Sequence, residues 1–438
     1  MIRRLPLLLL GGALVFLSTL AVPPAFPQAK VPDEPGVRLQ PKDYSTSMRK
    51  AFQAMVQSSK ETEIDERAAN IIDVAVQNFV YPVTFIEKQN AFEGMSKVVS
   101  EFELALNDFP NAVKKYNAKN DKVREKFLER ATEHLKEVLT NPRLIARVNG
   151  AEMLALVAKA GYEDAAEVLL EVIKDDKQSD AVRYWAYRGL YELFRQANRE
   201  EPTLKNKARE AECILALGKA IDRKGPMAGP REVIEGARVL RREAVRALAA
   251  TRYPVLADKD GKNVKGYPAL MLLRLVAQPG SYQPPLRLDE QVEAAIGLTR
   301  LLTKGFPDYQ PDYAAWHVGR FIVRFAEEYQ RAREAKNDAM EPWKIHAARL
   351  LEGLEWMRAD AAKNIKDKDV TKYLTELVNR AGAVLQPIEK GQTARAGDLS
   401  NWLNANPPKN PALFRGKPDT AIKAMEPEEK PADPKKDG

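Results

Sequence analysis

Through the middle of the chain, apolar residues return at steps of three and four with polar residues between them, the period of a helix with one buried face. The clearest case is SDAVRYWAYRGLYELF, Ser179 to Phe194. There Val182, Trp185, Ala186, Gly189, Leu190, Leu193 and Phe194 fall on a single helical stripe, which assigns Trp185 to the core, and Ser179 is placed to cap the helix. Asn141 and Pro142 start a helix that Gly161 ends, Gly225 ends the next long one, and Asp289 to Gly305 brackets another. Pro311 and Pro342 stand just inside two further starts. No run alternates with period two for long enough to make a convincing strand. Only Tyr253 to Tyr267, with its ADKDGK turn, has room for a short hairpin. The pattern predicts an all-α chain.

A second regularity lies above the helical period. Take as template an apolar residue, a long polar one, two free positions, a small residue, two free positions, a small residue and a leucine. Val182, Arg183, Ala186, Gly189 and Leu190 define it, and Leu240, Arg241, Ala244, Ala247 and Leu248 repeat it without a gap. Trp343, Lys344, Ala347, Leu350 and Leu351 fit with one larger residue; Gln291, Ala294, Gly297 and Leu298 fit from the second position; Arg147, Gly150, Met153 and Leu154 fit more loosely. Successive copies are 36, 58, 50 and 53 residues apart. Small residues three apart let one helix approach its neighbour closely, and the leucine fills the space beyond.

Helical hairpins that carry V-R-x-x-A-x-x-A-L on the second helix resemble HEAT repeats. VRYWAYRGL and LRREAVRAL carry the resemblance most clearly, NPRLIARVNGAEMLALVAKAG more loosely, and it covers roughly residues 120 to 385. It implies an α-solenoid of stacked helix pairs over 120–400, working as a scaffold or peptide-binding surface with no chemistry inherent to the fold. Spacings of 50 or more exceed the usual period of about 40 to 47 residues, so insertions are expected at 223–231, 253–268 and 279–288. Asp43 to Asn107, within the segment 43–119, hold two or three further helices, interrupted at Tyr81 and Pro82, without the repeat signature. They are expected to form an N-terminal helical cap over the first repeat.

The ends read differently. Arg3 and Arg4 precede a thirteen-residue apolar run, Leu5 to Leu17, too short to cross a hydrocarbon core of about 30 Å. Residues 1–21 are therefore expected to be a signal peptide cut between 21 and 29, which exports the protein to the periplasm, cell envelope or medium without a membrane span in the mature chain. Residues 22–42 form a Pro-rich linker, and 401–438 a Pro- and Lys-rich tail expected to be largely disordered, from which Leu413 and Phe414 are placed to dock back. The net charge of +8 is spread along the chain with both signs interleaved. That accommodates an anionic polymer as partner without requiring one.

Candidate chemistry is thin. Cys213 is the single cysteine and lies in a helical pattern, so it reads as a buried hydrophobe and no intramolecular disulfide can form. His134, His317 and His346 have no metal-ligand spacing; His134 reads as a surface or boundary residue, the other two as packing. DKDGKN lacks the ligands of a calcium loop, and nucleophile-elbow, P-loop and dinucleotide motifs are missing. No catalytic, cofactor or metal residue is assigned. What remains is surface: Arg183, Tyr184, Tyr187, Arg188 and Tyr191 lie off the apolar stripe of their helix, and Arg238, Arg241, Arg242 and Arg246 form a basic comb on a later one. These nine make a candidate ridge for a protein or peptide partner, Arg and Tyr being favoured at binding hot spots. An arginine at the second template position also has a structural use, bonding one repeat to the next. The expected function is a non-enzymatic exported scaffold. The alternatives are an exported (α/α) toroid enzyme acting on polysaccharide and a module binding an anionic polymer.

Overall fold

The helical period is realised along the whole described chain: in the computed structural model, residues 38–58, 63–85, 92–108, 121–197, 204–257, 264–337 and 341–422 are described. The expected signal peptide, most of the Pro-rich linker, the DKDGKN turn and the last sixteen residues lie outside them. The described residues form α1 (Thr46–Gln57), α2 (Glu66–Val80), α3 (Phe92–Asp108), α4 (Asp121–Val138), α5 (Leu144–Lys159), α6 (Ala165–Lys174), α7 (Asp180–Ala197) and α8 (Lys207–Ile221). They continue with α9 (Arg231–Ala250), α10 (Pro268–Ala277), α11 (Leu288–Thr299), α12 (Pro311–Glu334), α13 (Trp343–Asn364), α14 (Lys368–Glu389) and α15 (Gly397–Ala405). The hairpin between Tyr253 and Tyr267 is present as β1 (Leu256–Ala257) paired antiparallel with β2 (Val264–Gly266).

The helix ends follow their local chemistry. Ser45, Asp65, Asn206 and Asp367 each accept a hydrogen bond from a first-turn backbone N–H of the helix they precede, and Ser179 Oγ does the same from Val182 at 3.4 Å. Gly161, two residues past α5, takes φ +86°, the left-handed value that a Cβ disfavours. Three helices, α6 to α8, lie between Gly161 and Gly225. Asp175 to Ser179 separate α6 from α7.

The helices pack in a regular order. Helix α5 packs on α7, α7 on α9, α9 on α11 and α11 on α13. A second series runs beside the first, α4 on α6, α6 on α8, α8 on α10 and α10 on α12, and most consecutive helices of the two series also pair. The five helices carrying the template are the five members of the first series. Its small positions are where they meet. A Cβ added at Gly189 of α7 would lie 2.8 Å from Leu169 and 3.4 Å from the Cα of Ala155 on α5; one added at Gly297 of α11 would lie 2.7 Å from the Cβ of Ala249 on α9. Ala186, Leu190, Ala244, Ala247, Leu248, Ala294, Leu298, Ala347 and Leu350 have no exposed surface. This interior is one continuous apolar core from Phe52 to Ile422.

At the C-terminal end the described chain runs further than the tail boundary at 401 allows. Helix α15 continues to Ala405, and Leu413 and Phe414 are buried beyond it. Gln310 donates its backbone N–H to Leu413, and Tyr313 exchanges hydrogen bonds with the backbone of Ile422 at 2.8 and 2.9 Å. The physical reason is apolar: Phe414, placed by the sequence to dock back, packs its ring against Tyr267 and Tyr309.

Candidate functional site

The nine ridge residues separate into two groups. In the basic comb, Arg241 is only 5% exposed, and its Nε and Nη2 meet the two carboxylate oxygens of Glu290 at 2.6 and 3.3 Å. Arg242 reaches Asp289 at 2.9 Å, Arg246 reaches Glu243 at 3.2 Å and Glu293 at 3.5 Å, and Arg238 reaches Glu235 at 2.8 Å. From the far side, Arg349 of α13 holds Glu293 with two hydrogen bonds of 2.7 and 2.8 Å. Arg287, just before α11, joins Glu235 to Glu341. The comb is thus not an open basic surface. It is an internal ladder of ion pairs across α9, α11 and α13, because α11 opens with Asp289 and Glu290, the charge a helix N-terminus prefers, facing the arginines of α9. Burial pushes the Glu290 carboxyl above its ordinary value, and the bond from Arg241 opposes that rise.

Arg183 and Tyr187 also leave the surface. Arg183, 3% exposed, donates to the Asp175 carbonyl at 2.7 Å and so ties α7 to the turn before it. Arg147, its counterpart on α5, donates to Gln178 ahead of α7 and to the Asn141 carbonyl. Arginine at the second template position therefore serves the packing. Tyr187 is 4% exposed, and burial pushes its hydroxyl up to about 12.

Tyr184, Arg188 and Tyr191 remain half-buried on the outside of α7. The Arg188 guanidinium lies over Trp185 at 4.9 Å and over Tyr184 at 5.7 Å, and Arg246 lies over Tyr191 at 5.1 Å. Arg188 has no ion pair among the described residues. Glu152 of α5 has its carboxyl raised by burial and drawn back by Arg188. Trp185, read from sequence as core, is half-buried and forms the floor of this stack.

A second feature escaped the sequence reading. The residues just past α9 and α11 and the last two turns of α13 enclose an open cleft of about 760 Å³. Arg252, Tyr253, Lys304, Phe306, Trp356 and Lys363 line it. The Arg252 guanidinium lies 5.3 Å over Trp356, Tyr253 meets Phe306 edge to face at 5.9 Å, and Lys207 lies 5.9 Å over Tyr253. Asp360, the cleft's carboxylate, accepts from the backbone and hydroxyl of Thr303 at 3.2 and 2.7 Å and from Asn364 at 2.8 Å. Burial and the neighbouring Arg300 push Arg252 below its ordinary value. A signal was present: basic and aromatic residues follow the template leucines Leu248 and Leu298 by four to eight positions.

The histidines sit in different settings. His317 is buried between Tyr313 and Trp316, and desolvation lowers it to about 3; His346 is buried and lowered for the same reason. His134, read as a surface or boundary residue, links helices: its Nε2 lies 2.8 Å from Asp73 and its Nδ1 2.8 Å from the Tyr81 hydroxyl, which donates to Glu137 at 2.6 Å. Cys213 is fully buried, with burial pushing its thiol up to about 12. Among the described residues no group of three His, Cys, Asp or Glu side chains is placed to hold a metal ion, and no helix is long and apolar enough to cross a membrane. Comparison with known proteins finds no family model that matches the chain and no curated protein that matches it.

Proposed function

We propose that the protein is an exported, non-enzymatic scaffold of the HEAT type, an α-solenoid with α1 to α3 as its N-terminal cap, which binds a protein or peptide segment. The observation that carries this reading is the coincidence of two independent patterns. The helices bearing the sequence template are those that pack one upon the next, from α5 through α13. Export rests on the Arg-led apolar run at the start of the sequence. Sequential packing also favours an open array over a closed (α/α) toroid, since α1 to α3 pack mainly on one another, α4 and α5, and α13 to α15 on one another, α11 and α12. The partner segment lies across the stack of Tyr184, Trp185, Arg188 and Tyr191, whose rings and guanidinium, which has no ion pair among the described residues, suit a hot spot.

Crosslinking in envelope extract tests the reading, with wild type set beside a Tyr184→Ala, Arg188→Glu double variant. The scaffold loses its crosslinked partner in the variant at unchanged melting temperature, and retention of the same set removes the α7 patch. Small-angle scattering tests the architecture. A radius of gyration near the ~22 Å expected of a single globule of this length would sink the open array.

A further inference from the structure

The cleft beyond the ends of α9, α11 and α13 has the composition of a ligand site rather than of a seam between helices. Elsewhere in the array the arginines at the helix seams are spoken for: Arg241 and Arg242 of α9 are paired with acids of α11, and Arg147 and Arg183 are bonded to backbone. In the cleft the pattern is reversed. Arg252, Lys304 and Lys363 have no ion pair among the described residues, while the single carboxylate among the lining residues, Asp360, spends its oxygens bracing Thr303 and Asn364. Three cations to one carboxylate thus surround an apolar floor of Phe306 and Trp356. Arg252 is half-buried, so its charge is poorly screened by water and an incoming carboxylate is worth more there than at an exposed lysine.

From this geometry we infer that the cleft binds an acidic peptide segment, an aromatic or aliphatic side chain resting on Phe306 and Trp356 and flanking carboxylates meeting Arg252, Lys304 and Lys363. The inference deepens the scaffold reading and rests on it, naming the chemistry of a partner. A peptide fits better than an acidic glycan. Sugar rings stack on open aromatic faces, and here Trp356 and Tyr253 each carry a cation over one face. A volume of about 760 Å³ lies within the range of roughly 300–1,000 Å³ that encloses a compact ligand, enough for a few residues.

The test uses the full chain and an acetylated, amidated pentapeptide with a central phenylalanine between two pairs of glutamates, titrated by calorimetry at low salt. Saturable one-to-one binding is expected, weakened at least tenfold in a Lys304→Glu, Lys363→Glu double variant and again in Trp356→Ala. Both lysines are exposed, so the double variant keeps its melting temperature. Binding that is undetectable, unchanged in these variants, or equally strong for the glutamine version of the peptide overturns the inference. So does tighter binding of a uronic acid oligomer. The crosslinking experiment on the α7 patch separates the two ideas: a partner still captured through Tyr184 and Arg188 while the pentapeptide fails leaves the scaffold standing without this site.

Discussion

Arg241 Nε and Glu290 Oε1 lie 2.6 Å apart, joined across 49 residues of sequence, and both side chains are almost wholly removed from water. Such a pair is stable only as a pair. Removing one member leaves a buried charge without its counter-charge, which costs about 3–5 kcal/mol, while replacing both with apolar residues of similar size is often close to neutral. Glu290→Gln and Arg241→Met should each lower stability by that amount in urea unfolding, and Arg241→Met with Glu290→Leu should recover most of it. Additive losses in the double variant would show that the two residues act separately.

The close approach of the template helices gives a second expectation. At Gly297 an added methyl meets the backbone and Cβ of Ala249 at 2.9 and 2.7 Å, so Gly297→Ala should destabilise by about 1–3 kcal/mol despite its better helix propensity. Gly236, exposed in the middle of α9 with nothing within 4 Å, is the control. There alanine should stabilise by about 0.5–1 kcal/mol. Melting temperatures moving in the same direction for both would contradict this account of the small positions.

The template was readable because it is dictated by packing, and packing is what the repeat repeats. The ladder was half readable. Arg238, Arg241, Arg242 and Arg246 are visible as a basic run, but Asp289, Glu290 and Glu293, which face the last three of them, lie some fifty residues on, and only the stacking of α9 on α11 brings the two charge patterns face to face. The amphipathic stripe likewise could not place Arg183 and Tyr187. A helix with neighbours on both flanks and a partner beneath buries more than one stripe, so residues at its margins leave the surface. The cleft depends on three chain segments spread over more than a hundred residues and has no local signature beyond scattered basic and aromatic residues.

Acid should unfold this protein through its interior histidines. Folded His317 stays neutral down to about pH 3, whereas the unfolded residue takes up a proton near its ordinary 6.5. The stability it contributes is therefore fully present above pH 6.5 and is lost as pH falls from there toward 3, reaching about 2–3 kcal/mol of loss by pH 4.5. His317→Gln should flatten that part of the stability curve, whatever it does to stability at pH 7. A slope between pH 6.5 and 4.5 equal to that of wild type would assign the acid sensitivity elsewhere.

Glu210 works in the opposite sense. Burial raises its carboxyl to about 7, so the folded chain holds a proton that the unfolded chain has released above about 4.5. Stability tied to this group is present below pH 4.5 and lost as pH rises through 7. Glu210→Gln should remove that loss and raise the melting temperature at pH 8 more than at pH 5. An equal change at both would show that its charge state does not matter.

The docked end of the chain can be cut away. Stopping the chain after Asn406 removes Leu413, Phe414 and Ile422 and uncovers Tyr309 and Tyr313. Two to three buried side chains at about 1.5–3 kcal/mol each set the scale of the loss. A melting temperature unchanged by the truncation would mean that the segment rests on the body without holding it.

Cys213 carries a consequence of a different kind. Its sulfur faces α6, 4.0 Å from the Ala166 carbonyl, and no thiol reagent reaches it while α8 lies closed on its neighbours. As the single cysteine it is a ready-made gauge of breathing in the stack. The rate at which a small alkylating reagent modifies the unaltered protein reports how often that one seam opens, separately from global unfolding.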